Sequence, residues 1–127
     1  MEQPKAFNNI LFQKECEQWK ADVEFCRDEI KVLNRYLREV MEKNSASGLK
    51  NEITQFQQKL SEKIEISYEL MDAVKTHDEM LQASGAEDEF TEAAHALLRE
   101  TITQFCKSYN TLKSQFVRFL AKADLIV

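Results

Sequence analysis

The chain is poor in residues that interrupt helices: among its 127 residues it has one proline, Pro4, and two glycines, Gly48 and Gly85. Two isolated glycines cannot build a glycine-rich phosphate loop. The three cysteines include no Cys-x-x-Cys pair, so a cysteine-based structural zinc site and thioredoxin-like redox chemistry have no footing. No apolar run approaches the ~20 residues of a membrane-spanning helix, and Met1-Glu2-Gln3-Pro4-Lys5 lacks a signal peptide's apolar stretch. A cytoplasmic location is therefore expected. Basic clustering is missing as well. The net charge is −5, with lysines and arginines scattered among the acids, which argues against nucleic acid as a partner. No cofactor-binding motif is present, and no cofactor is expected.

What remains is helical pattern. Apolar residues make up 43% of the chain and charged residues 31%, the balance of a soluble helical protein rather than a disordered tail. The length suits one domain with a slender core. Pro4, Gly48 and Gly85 bound three breaker-free stretches of about 36 to 43 residues. The first carries the stripe Phe12, Cys16, Trp19, Val23, Cys26, Ile30, Leu33, Leu37, Val40, in strict steps of four and three. The second runs from Leu49 through Ile53, Phe56, Leu60, Lys63, Ser67, Leu70, Val74 and His77 to Leu81. Ile64, Ile66 and Met71 are expected to pack where Lys63 and Ser67 cannot. The third is regular from Leu98 to Ala123, with Phe90, Ala94 and Leu97 preceding it after a small phase slip.

The spacing predicts helices over roughly 8–44, 48–83 and 88–124 in an all-α, up-down-up antiparallel three-helix bundle. Asn44-Ser45-Ala46-Ser47-Gly48 supplies the first turn, Ser84-Gly85 the second stop, and Asp88 a cap for the third helix. Short loops also set a register. Residues facing each other in the first hairpin share the sum 90, as Cys16 with Val74, Ile30 with Leu60 and Leu37 with Ile53. The second hairpin gives 172, as Phe56 with Phe116 and Ile53 with Phe119. One layer then contains Leu33, Phe56 and Phe116.

The same sum pairs His77 with His95, close to Phe12 and Cys16. Glu92 and His95 form one Glu-x-x-His element, whereas a di-iron bundle uses two. The plainer expectation is that both histidines are partly exposed and cover the mouth of the bundle. The alternative is a metal-binding bundle with His77 and His95 as ligands, joined by Cys16 or Glu92. Cys16 and Cys26 lie ten residues apart on one helix, too far for a disulfide, and the thiols read as small apolar fillers. Lys63 reads as a packed stem with its ammonium at the surface.

Beside the main stripe of the first helix runs a second apolar flank, Phe25, Val32 and Tyr36. Such a flank marks association with a protein partner or a second copy of the chain. The apolar end, Leu125-Ile126-Val127, is a second candidate for association or for a fold-back onto the loop at Gly48. Glu15-Cys16-Glu17-Gln18-Trp19, Val23-Glu24-Phe25-Cys26-Arg27-Asp28-Glu29-Ile30 and Phe116-Val117-Arg118-Phe119-Leu120 resemble a group of small bacterial helical proteins with no assigned activity. That resemblance implies a helical fold and carries over no functional residue. The sequence thus points to a non-enzymatic interaction or structural module binding through Phe25, Val32 and Tyr36.

Overall fold

A computed structural model describes the backbone of residues 5–43, 48–85 and 89–126 and, except at Ser84, the side chains within 8–123 of those segments. Three helices account for nearly all of it: α1 (Lys5–Lys43), α2 (Lys50–Ser84) and α3 (Glu89–Ile126). There is no strand among the described residues. Gly85 ends α2 with a φ of 75°, a left-handed conformation that favours glycine, and its N–H donates to Leu81 O at 2.8 Å. Gly48, two residues before α2, also has a positive φ, 83°. Leu49, between them, offers no side-chain cap. The expected caps at Asn44–Ser47 and Asp88, and the side chains of the C-terminal tail, lie outside the described residues.

Inter-helix bonds trace the topology. From α1 to α2, Lys20 meets Asp78, Arg27 meets Ser67 and Met41 meets Gln57, one number rising as the other falls. From α2 to α3, His77 meets His95, Lys63 meets Ser108 and Glu52 meets Lys122, again antiparallel. Between α1 and α3 both numbers rise, so these helices run parallel. The two hairpin sums together require facing α1 and α3 positions to differ by 82. Bridging pairs in fact differ by 80 or 84 and straddle that value.

The stripe forms the core. Val23, Ile30 and Leu60 are wholly buried, as are Val74, Leu81 and Phe116. Phe56 sits edge-on to Phe116 with ring centroids 5.3 Å apart, within the expected layer of Leu33. Ile64 and Met71 pack against the core beside Lys63 and Ser67, but Ile66 is 37% exposed and does not. The Ser67 hydroxyl accepts from Arg27 Nε and donates to the carbonyl of Ile64.

The start of α3 corrects the sequence reading. No phase slip occurs: Thr91, His95 and Leu98 continue the steps of four and three into Ile102. Phe90 is left 73% exposed and Leu97 66% exposed, while Thr91 and His95 are buried. Register in a long helix is fixed along its whole length. Seven apolar layers downstream therefore override the preference of two side chains near the end.

Glu29 shows how α1 and α3 hold that offset. Its carboxylate accepts from Tyr109 Oη and from Lys113 Nζ, each at 2.6 Å. Two heptads earlier in both helices, Glu15 accepts from His95 and Arg99 in the same manner. Burial pushes the Glu29 carboxyl up, but the bonds from Lys113 and Tyr109 outweigh it and hold it below the ordinary value of 4.5. Its stabilisation is therefore complete above the unfolded-state value and disappears as pH falls through the lower folded one. Replacing Glu29→Gln is expected to cost about 1 kcal/mol at pH 7, a figure reduced for partial exposure. In urea titrations the gap from wild type should close as pH drops below 4.5; a gap independent of pH would contradict this.

Candidate metal-binding site

Buried polar residues are costly unless bonded, and one end of this bundle gathers several. Ser67, His77, Asp78, Thr91 and His95 are the buried polar residues among those described, and four of the five lie at this end. His77 is 6% exposed and His95 is not exposed at all, so the expectation of two partly exposed histidines at the mouth does not hold. The continued heptad of α3 carries His95 inward. Its ring then lies under Phe12, with centroids 3.8 Å apart and planes inclined by 8°, and against Trp19 at 4.7 Å.

The hydrogen bonds fix the direction of the protons. Arg99 grips Glu15 with two bonds, Nε to Oε2 at 2.8 Å and Nη2 to Oε1 at 2.6 Å. The Arg99 bonds are the main reason the Glu15 carboxyl is held below its ordinary range, against the opposing pull of burial. Ionised Glu15 only accepts, so His95 Nε2–H donates to Oε1 at 3.2 Å. Burial holds both histidines below the ordinary imidazole value, although Glu15 pulls His95 and Asp78 pulls His77 the other way. A neutral His95 with hydrogen on Nε2 has a lone pair on Nδ1. His77 Nε2–H donates to that lone pair at 2.8 Å.

Cys16 completes the group. Its Sγ and one ring nitrogen from each of His77 and His95 all lie within 4.8 Å of one another, each residue buried and each from a different helix. Burial, with Asp78 and Glu15 nearby, pushes the Cys16 thiol up to about 11, so without an added cation it stays protonated. Glu92, the carboxylate suggested by its spacing from His95, is exposed on α3. Glu15 takes that place, one residue before Cys16. Its signal was the α1–α3 offset, which also aligns Glu29 with Tyr109.

Two seams around this group are closed by charge. Glu15 and Arg99 close α1 against α3; Lys20 Nζ and Asp78 Oδ2, 2.9 Å apart, close α1 against α2. The third seam differs. Between α2 and α3 the surface holds a groove of about 550 Å³, with His77 in its wall. Small residues, Ala73, Thr76 and Ala94, line it alongside Leu70, Met80 and Leu98.

The residues expected to bind a partner stand apart from this site. Phe25 is 64% exposed, Tyr36 47% and Val32 38%, on the face of α1 away from the core. Cys26 and Cys106 are free thiols farther along α1 and α3, Cys26 buried and Cys106 half-buried. No helix among the described residues is long and apolar enough to cross a membrane. Protein-family models, curated proteins and solved structures give no match to this chain.

Proposed function

We propose that the protein is a metal-binding helical bundle that holds one transition-metal ion through Cys16 Sγ, His77 Nε2 and His95 Nδ1. The observation that carries this reading is three soft or borderline donors, one from each helix, buried within 4.8 Å of one another. Thiolate and imidazole suit zinc and its neighbours, and three protein ligands leave a fourth position open. Glu15 supplies the outer support, because a ligating histidine ordinarily donates its other N–H to a carboxylate.

Little movement is required. Donors around a tetrahedral ion with such bond lengths lie about 3.3 to 3.7 Å apart. The two imidazole nitrogens, at 2.8 Å, would separate slightly, and the sulfur already lies within 4.8 Å of both. To hold an ion, His77 would carry its hydrogen on Nδ1 rather than Nε2, and Cys16 would release its proton to solvent. The ion then ties all three helices together at one level. This is a binding role, and it asks for no catalytic group.

Protein purified without an affinity tag and titrated with cobalt(II) should take up one ion and develop a thiolate-to-cobalt charge-transfer band. Cys16→Ser should remove the band, and His77→Ala should weaken uptake by about 100-fold or more. Wild-type protein that takes up no stoichiometric metal would refute the reading.

A second reading, a protein-interaction or self-associating module, is favoured by the exposure of Phe25, Val32 and Tyr36 along one face. Here a Phe25→Asp, Tyr36→Asp double variant should lower the mass measured by light scattering or lose a captured cellular partner. An unchanged mass and unchanged partners would dispose of it.

A further inference from the structure

We propose that Cys26 and Cys106 form an oxidative modification site, which hydrogen peroxide converts into a disulfide stapling α1 to α3. The inference stands apart from the metal-binding reading and does not need the ion. Register is the first argument. Bonds between the parallel helices α1 and α3 join residues whose numbers differ by 80 or 84, and Cys26 and Cys106 differ by 80. Cys106 also falls seven residues after Arg99 and seven before Lys113, cations of α3 that pair with carboxylates of α1. In a seven-residue repeat it therefore faces α1 as they do. Cys26 lies on the stripe of α1, 7% exposed, and Cys106 packs against the same core from the flank. Helices with axes about 8 to 10 Å apart bring facing Cα atoms to about 4 to 6 Å, a span that a disulfide bridges.

Environment assigns the two thiols different parts. Burial, with Asp22 nearby, raises the Cys106 thiol, while Cys26 pulls it the other way. Burial and the neighbouring Cys106 push the Cys26 thiol up to about 12. Cys106 is the more accessible thiol and ionises first, so it is the one that meets the oxidant. Its thiolate attacks one peroxide oxygen, the O–O bond breaks, hydroxide leaves, and Cys106 becomes a sulfenic acid. The Cys26 sulfur then attacks the Cys106 sulfur; the S–S bond forms, the S–O bond breaks, and hydroxide leaves with the Cys26 proton as water. In sum, two thiols and one peroxide give one disulfide and two waters. Burial keeps both thiols protonated, so the reaction is slow and needs sustained peroxide. Cys16, the third cysteine, is ten residues from Cys26, about 15 Å along α1, and cannot compete. The ring that the bond closes contains all of α2, and a loop of that length restricts the unfolded chain strongly.

Reduced protein, freed of reductant and exposed to millimolar hydrogen peroxide, should lose two hydrogens per chain by intact mass. A non-reducing peptide map should join the Cys26 peptide to the Cys106 peptide within one chain. The urea midpoint should rise by about 1 to 2 M and fall back when dithiothreitol is added. Cys26→Ser should leave a sulfenic acid at Cys106 that dimedone captures. Cys106→Ser, a change at a half-buried position, should abolish both the linkage and the dimedone adduct. The proposal would be overturned if the wild type formed no such linkage, or if either residue linked instead to Cys16 or to a second chain. A midpoint that does not rise on cross-linking, or dimedone capture at Cys26 in place of Cys106, would overturn it equally.

Discussion

The hydrogen bond from His95 to Glu15, held in place by Arg99, is the constraint on which the polar end of this bundle depends. A buried imidazole has two nitrogens and needs a definite role for each. Glu15 is ionised and accepts, which assigns the hydrogen to Nε2 and leaves Nδ1 as a lone pair inside the bundle. That lone pair organises His77, and the pair of rings stands beside the Cys16 sulfur. Phe12 and Trp19 cover the faces of His95 and limit its rotation. With Glu15 removed, either tautomer would serve and the group would lose its direction.

This arrangement reuses the device that aligns α1 with α3 farther along. Glu29 accepts from a ring donor on the stripe of α3 and from a cation one turn later, as Glu15 does two heptads before. At the distant position the ring is Tyr109, and the result is a satisfied hydroxyl and a fixed register. At the end of the bundle the ring is His95, and the same geometry leaves a donor atom pointing inward. The two contacts thus share one geometry and differ in the residue type that the carboxylate holds. Charge closes two of the three seams there, and small side chains open the third.

The fold was legible because long helices average their pattern over many turns. The stripes from Phe12 to Val40 and from Leu98 to Ala123 identify the core, and two hairpin sums give the register that the inter-helix bonds follow. The meeting of His77 with His95 came from the same arithmetic. Local details were less legible. Phe90 and Leu97 suggested a phase slip, since apolar residues near a helix start cannot be separated by pattern alone into core and surface. That misplacement also hid the depth of His95. Glu15 escaped notice because a carboxylate beside the seam looks like any solvated charge until the parallel offset between α1 and α3 brings His95 and Arg99 to it. The groove was invisible for a related reason: it arises from small residues on two helices, and neither helix shows it by itself.

The direct test of this account is the tautomer of His95 in metal-free wild-type protein at neutral pH, read from long-range nitrogen–proton couplings of the imidazole ring. The account predicts a neutral ring with its hydrogen on Nε2 and a hydrogen-bonded, unprotonated Nδ1. A ring protonated on Nδ1 with Nε2 bare would contradict it, because Glu15 would then not orient His95 and no lone pair would face His77 and Cys16.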